Sequence, residues 1–167
     1  MDYQIRRARA ADAIDIRNVH SESVDKLGAH AYDDEQIKRW AQPRDPADYP
    51  IEERGVYSVV AEQDDGVIGF GWMRVEAEEY LETEGEITAV YIHPDVVREG
   101  IGSRIYGELE RHARQHRVES LGLWASLNAV PFYEARGYDT IAERTLQYEE
   151  VSMPVVEMHK RLAYPEE

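Results

Sequence analysis

The chain contains no cysteine, which excludes disulfides, thiolate nucleophiles and cysteine-based metal sites. Lysine is nearly missing as well: Lys26, Lys38 and Lys160 are the three among 167 residues. No apolar run is long enough to span a bilayer, and the N-terminal MDYQIRRARAADAID has no apolar signal core. A cytoplasmic protein without a membrane segment is therefore expected. Positive charge is in deficit, since 19 basic against 34 acidic residues leaves −15. That balance argues against nucleic acid and anionic membranes as partners, because both need a basic footprint. Such an acidic, lysine-poor composition fits a protein of a halophile, where salt screens self-repulsion. An ordinary acidic bacterial protein is the alternative, and stability measured across molar salt separates the two.

What is present suits one globular domain over residues 1–167, with 43% hydrophobic residues and no internal repeat or low-complexity segment. Tyr3 to Arg7 alternates like a strand. From Ala10 to Leu27, Ala13, Ile14, Val19, Val24 and Leu27 recur at helical spacings, and Gly28 closes the helix. Asp33 or Asp34 can cap a second helix, DEQIKRWAQ, which Pro43 stops. PRDPADYP reads as a loop or short turn. Val56 to Glu62 and Val67 to Glu76 read as strands joined by Asp64-Asp65-Gly66, a hairpin signal. Further strands are expected at Glu86 to His93, Ser120 to Ala125, Tyr138 to Tyr148 and Val155 to Leu162. Helices are expected at Gly100 to about His116 and at Asn128 to Arg136, the latter closed by Gly137.

The stretch EITAVYIHPDVVREGIGSRIYGELERH, Glu86 to His112, is the most informative. An alternating strand enters a loop closed by Gly100 and Gly102, and the loop opens directly into an amphipathic helix. Ile101, Ile105, Leu109 and Ala113 form its apolar stripe. Such a turn gathers unpaired N–H groups and the positive end of a helix dipole, which binds phosphate without a basic side chain. A tight turn that needs glycine only for its conformation is the competing explanation.

The element order and two motifs in sequence resemble the GCN5-related N-acetyltransferase (GNAT) superfamily, whose members use acetyl-CoA. VYIHPDVVREGIGSRIY (Val90 to Tyr106) is similar to its acetyl-CoA signature, and LNAVPFYEARGYD (Leu127 to Asp139) to its second motif. VIGFGWMRVE and the closing VVEMHKRL also match, and AYDDEQIKRWA resembles the substrate-side helix of one small-molecule branch. The Gln/Arg position of the signature is Val97 here, with Arg98 displaced by one residue.

The resemblance implies an α/β (α+β) domain: a mixed, mostly antiparallel seven-stranded sheet splayed between strands 4 and 5, with helices on both faces. It implies acetyl-CoA as cosubstrate, held by Val90, Tyr91 and Ile92 of strand 4, by the loop Val97, Arg98, Glu99, Gly100, Ile101, Gly102 and Ser103, and by Asn128 and Tyr133. Arg98 is expected at the pyrophosphate or 3′-phosphate, and an N–H of strand 4 at the thioester oxygen. Tyr133 would protonate the departing CoA thiolate, a task that suits a phenol of pKa about 10. Packing beside Phe132 is its structural alternative, and helix capping is that of Asn128.

A base for the amine is also expected. Glu86 lies four residues before Val90 on the same strand face. Thr88 and Glu84 would share that face, and a water chain is the further option. Otherwise Glu86 belongs to a solvated acidic run from Glu76. His112 and His116 have i, i+4 spacing, but no third ligand and no HExxH surround them, so no metal is assigned. His93 is read as structural. Trp40, Trp72 and Tyr32 are either acceptor-pocket walls or ordinary core. The expected activity is acetyl transfer to a primary amine, borne by a small molecule or a peptide. A non-catalytic acyl-CoA-binding or regulatory module on the same fold is the rival, and a homodimer through the terminal strands is expected by family analogy.

Overall fold

A computed structural model describes residues 3–27, 31–42, 45–64, 66–96, 100–148 and 150–164. Its elements run β1 (Gln4–Arg7), α1 (Ala13–Leu27), α2 (Asp34–Trp40), β2 (Val56–Gln63), β3 (Gly66–Arg74) and β4 (Gly85–Ile92), then α3 (Ile101–Gln115), β5 (Ser120–Ser126), α4 (Val130–Glu134), β6 (Asp139–Tyr148) and β7 (Val151–Arg161). The strands form a seven-stranded sheet in the order β1-β2-β3-β4-β5-β7-β6. Every pairing is antiparallel except β4 with β5. The expected mixed sheet is what the chain builds.

Alternation along β2 assigns its residues to two layers. Val59 and Ala61 join Met73, Ile87 and the α3 stripe Ile101, Ile105, Leu109 and Ala113 on one face. Val60 joins Phe70, Trp72, Ala89 and the α1 residues Ile16 and Val19 on the other. Ile105 and Leu109 are fully buried, and each contributes about 2 kcal/mol of transfer free energy. A third cluster of Val24, Tyr32, Ile37 and Met153 seats α2 on the end of β7. Glycine lets α3 lie this close: a Cβ at Gly71 would stand 2.7 Å from Ile105 Cγ2 and 3.0 Å from the Ala89 carbonyl.

The deciding feature lies in β4. Trp72 pairs with Ala89 and Met73 with Ile87, so Thr88 has no partner on β3. This bulge inserts one residue and bends the strand. On its other side β4 meets β5 only at Gly85↔Leu121 and Glu86↔Gly122. From Ile87 onward, the side of β4 that faces β5 is left without a strand partner, and the sheet opens into a wedge.

Several boundaries differ from the sequence expectation. A 3-10 turn over Ala10–Asp12 precedes α1. Its core face uses Ile16, while Ile14 is 56% exposed. Asp33 is the cap of α2, accepting from Gln36 N at 2.8 Å while Gln36 returns to the Asp33 N–H at 3.0 Å. β7 begins earlier than expected, at Val151, because Pro154 lies beyond the end of β5 where no second ladder needs its N–H. Gly28, Pro43 and Asp65 lie outside the described residues.

Candidate active site

Two cavities meet at the wedge. One, of about 310 Å³, runs from Val90, Tyr91 and Ile92 to the start of α3 at Gly100–Ser103 and to Asn128. The other, of about 420 Å³, lies on the far side, among Glu86, Trp72 and Trp124. Both include Val90, Tyr91, Tyr133, Trp40, Ser126 and Ala129 in their walls. A ligand in the first and a ligand in the second would therefore touch at this shared boundary.

The first cavity is built largely of backbone. Gly100 takes a left-handed conformation (φ 80°) just ahead of α3, and the Arg104 N–H closes onto its carbonyl at 3.1 Å. The N–H groups of Ile101, Gly102 and Ser103 precede the first helical hydrogen bond and have no acceptor within the helix. They sit at the positive end of a 15-residue helix. A Cβ at Gly102 would lie 3.3 Å from the Phe132 ring, so glycine keeps α3 and α4 in close contact. Arg136, four residues after Phe132, stands 3.7 Å over that ring, donates to the Phe132 carbonyl at 2.8 Å and also donates to Ser103 Oγ. This cation beside Ser103 was missed by sequence reasoning, although its i, i+4 spacing to Phe132 was visible. Val97, Arg98 and Glu99 lie outside the described residues. Unpaired β4 edge, glycine loop and helix start together fit an elongated ligand that carries phosphate at one end and amides along its length.

Tyr133 is held at the shared boundary by the way α4 ends. Gly137 takes φ 93°, the Tyr138 N–H reaches back to the Tyr133 carbonyl at 3.1 Å, and Gly137 N–H reaches Glu134 at 3.1 Å. The two tyrosine rings pack 5.5 Å apart across this C-terminal motif. Tyr133 is buried, and burial pushes its phenol pKa well above 10, with a smaller push from Tyr91. It stays a proton donor at any physiological pH. Asn128 needs correction: it falls in a 3-10 turn (Leu127–Ala129) and caps neither that turn nor α4. Its exposed side chain lines the first cavity.

Glu86 also differs from expectation. It is 2% exposed, so it is no part of a solvated run. Nor does it share a face with Val90, because the extra residue at Thr88 reverses the alternation between them. Glu86 instead shares the face of Trp72 and Ala89 and lines the second cavity. Its Oε1 accepts from the Glu78 N–H at 3.0 Å, and its Oε2 from the Tyr80 hydroxyl. Exposed Glu84 is turned to the Glu119 N–H at 3.4 Å and lines neither cavity. Tyr80 had no signal in the sequence.

The remaining candidates sort by contact. Trp40, Trp72 and Tyr32 all line the second cavity. The Tyr32 hydroxyl donates to the Pro154 carbonyl at 2.7 Å and accepts from the Leu127 N–H at 2.9 Å, tying α2 to the wedge. His93 is structural: its Nδ1 accepts from the Asp95 N–H at 3.2 Å and its Nε2 meets Glu22 at 2.5 Å. His112 stacks on Tyr57 at 3.8 Å, and the described residues hold no cluster of three metal-ligating side chains.

Residues 28–162 match the family model of the acetyltransferase (GNAT) domain. The chain belongs to the GNAT acetyltransferases. Among solved structures, a GCN5-related N-acetyltransferase of Rhodopseudomonas palustris is 24% identical with a TM-score of 0.83, covering 97% of each chain. The PaiA N-acetyltransferase of Thermoplasma acidophilum, solved in complex with coenzyme A, is 19% identical with a TM-score of 0.76, over 97% of this chain and 100% of that one. A GNAT phosphinothricin acetyltransferase of Sinorhizobium meliloti, solved with acetyl-CoA, is 21% identical with a TM-score of 0.72, over 97% and 89%. These likenesses establish the GNAT fold. No curated protein matches the sequence.

Proposed function

We propose that this GNAT protein transfers an acetyl group from acetyl-CoA to a primary amine by direct attack in a ternary complex. One observation carries the reading: two cavities join at Val90, Tyr91 and Tyr133, where an unpaired strand edge meets a buried phenol. The backbone of Val90, Tyr91 and Ile92 would take the pantetheine amides by strand addition. The N–H groups of Ile101, Gly102 and Ser103, with Arg136 beside them, would take the phosphates. Acetyl-CoA, when bound, supplies the acetyl thioester.

The protein's own residues then move protons. The ammonium first gives one proton through Glu86 to water, which frees its lone pair, and Glu86, directly or through water, then takes the second proton as the nitrogen bonds the acetyl carbon. A β4 N–H stabilises the charge that grows on the carbonyl oxygen. Tyr133 delivers its proton to the sulfur as the C–S bond breaks, and solvent restores the phenol. The products are an acetamide, CoA thiol and one proton released to water, so atoms and charge balance.

Calorimetry tests the first half. Acetyl-CoA is expected to bind and to raise the melting temperature, whereas ATP at equal concentration does neither. Release of CoA thiol, measured against a panel of amines, tests the second half. Absence of any heat with saturating acetyl-CoA refutes the assignment.

A further inference from the structure

The walls of the second cavity say which amines it accepts, granted the acetyl-transfer reading above. At about 420 Å³ it has the size of a small-molecule site. Its surface is dominated by aromatic rings. Phe70 stacks on Trp72 at 5.3 Å, Tyr49 meets Trp72 edge-on at 5.7 Å, and Tyr91 leans on Phe70 at 5.5 Å. Trp124 adds a further face, packed edge-on against Tyr80 at 4.8 Å. Among the described residues that line it, Glu86 is the single carboxylate and His20 the single titratable base, with no lysine and no arginine.

A primary amine reaches the cavity protonated, since its pKa lies near that of lysine, about 10. Its charge can leave water here because π faces attract a cation and Glu86 supplies the counter-charge. Glu86 is held for that task by the Glu78 N–H and the Tyr80 hydroxyl. A carboxylate or phosphate on the same molecule would fare badly. It would lose its hydration in an aromatic enclosure, find no lysine or arginine among the described lining residues, where His20 already meets the Tyr49 hydroxyl at 3.4 Å, and be repelled by Glu86. The indole N–H groups of Trp72 and Trp124 are buried without an acceptor among the described residues, but neutral donors bring no positive charge. A second ammonium fares no better, because one carboxylate serves one cation.

We infer that the acceptor is a small monoamine with an aromatic or bulky apolar body and no acidic group. This class excludes amino acids, phosphorylated amines and polyamines as good substrates. It also makes Glu86 a specificity determinant as well as a proton acceptor.

Three probes of one carbon frame test it with the full-length protein and acetyl-CoA: 2-phenylethylamine, L-phenylalanine and L-phenylalaninamide. By CoA release, kcat/KM for 2-phenylethylamine should exceed that for phenylalanine by about 100-fold, and the neutral amide should recover most of the difference. 1,4-Diaminobutane should also fall at least about tenfold below 2-phenylethylamine. In Glu86→Gln the KM for 2-phenylethylamine should rise about tenfold while that for phenylalanine stays level or falls, a divergence that loss of a base alone does not produce. Equal use of phenylalanine, or preference for 1,4-diaminobutane or a lysine-bearing peptide, overturns the inference. If acetyl-CoA binds but no amine is acetylated, acetyl transfer itself fails as the function. The cavity is then read by binding: with CoA present, thermal protection by 2-phenylethylamine but not by phenylalanine sustains the inference, and equal protection overturns it.

Discussion

The Tyr80 hydroxyl donates to Glu86 Oε2 across six residues of chain, while the Glu78 N–H donates to Oε1 of the same carboxylate at 3.0 Å. The acidic loop before β4 thus folds back to fix Glu86, the one carboxylate among the described residues lining the second cavity. Burial, followed by the nearby Glu86, raises the Tyr80 pKa above its ordinary value, so the phenol remains a donor. Tyr80→Phe keeps the ring against Trp124 and removes only the hydroxyl. The expected result is an amine KM raised about fivefold, with kcat changed less and acetyl-CoA affinity unchanged. Steady-state kinetics with both substrates varied decides this. An unchanged amine KM means that Glu86 is held well enough by the Glu78 N–H alone.

Tyr133 makes a second, separable prediction. Tyr133→Phe preserves the packing against Phe132, Tyr106 and Tyr138 and deletes one buried hydroxyl. Loss of a general acid lowers kcat by about 100-fold, while the calorimetric Kd for acetyl-CoA should stay within about twofold. Because burial holds the phenol pKa above 10, its proton is present through pH 9. Ionisation of Tyr133 therefore predicts no decline in kcat between pH 7 and 9. An alkaline limb in that range which disappears in the Phe variant contradicts the acid role.

These two residues mark how far the sequence alone can be read. Gly100 at the head of the glycine loop and the apolar stripe of α3 were legible because each is a local signal: a conformation only glycine takes easily and a 3.6-residue period. The end of α4 was legible for the same reason, since Gly137 announces it. The face of Glu86 was not, because the alternation rule assumes a regular strand and the bulge at Thr88 breaks it. Tyr80 and Arg136 escaped notice because their partners, Glu86 and Ser103, are fixed by tertiary packing rather than by spacing. The capping alternative for Asn128 fails because a 3-10 turn delays the helix by two residues.

His112 predicts how stability depends on pH. It stacks parallel on Tyr57 at 3.8 Å, and burial together with the charges of His116, Arg7 and Arg111 lowers its pKa to about 4. The folded state therefore binds this proton later than the unfolded chain, whose histidine titrates near 6.5. Stability contributed by neutral His112 is complete above pH 6.5, declines as pH falls, and is gone below about 4. Asp12, Glu110 and Glu157, whose pKa values are also lowered, act in the same sense but further down the scale, losing their contribution as pH falls through the ordinary carboxylate range and below. The interval from pH 6.5 to 5 thus separates His112 from these carboxylates. His112→Phe retains the stack and removes the titration, so the urea midpoint should drop less over that interval than in the parent chain. Equal drops assign the pH dependence elsewhere.

Gly71 links packing to cofactor binding. A methyl group there would meet Ile105 Cγ2 at 2.7 Å, the Ala89 carbonyl at 3.0 Å and Leu109 Cδ1 at 3.2 Å. Two of these atoms belong to α3 and one to the bulged strand, so relief requires the helix to lift from the sheet. Overpacking of this kind costs about 1–3 kcal/mol, which lowers Tm by roughly 3–10 °C in a domain of this size. Lifting α3 also displaces the N–H groups of Ile101, Gly102 and Ser103 from the end of the first cavity proposed to take the phosphates. Gly71→Ala should therefore weaken acetyl-CoA binding even at temperatures where the variant is fully folded. Gly107→Ala is the control, because a Cβ at that exposed position of α3 has no neighbour within 4 Å. It should leave affinity unchanged and, by its higher helix propensity, raise stability by up to about 1 kcal/mol. Calorimetry at 20 °C on both variants separates the outcomes: if Gly71→Ala melts early yet binds acetyl-CoA normally, the seat of α3 on β3 governs stability alone.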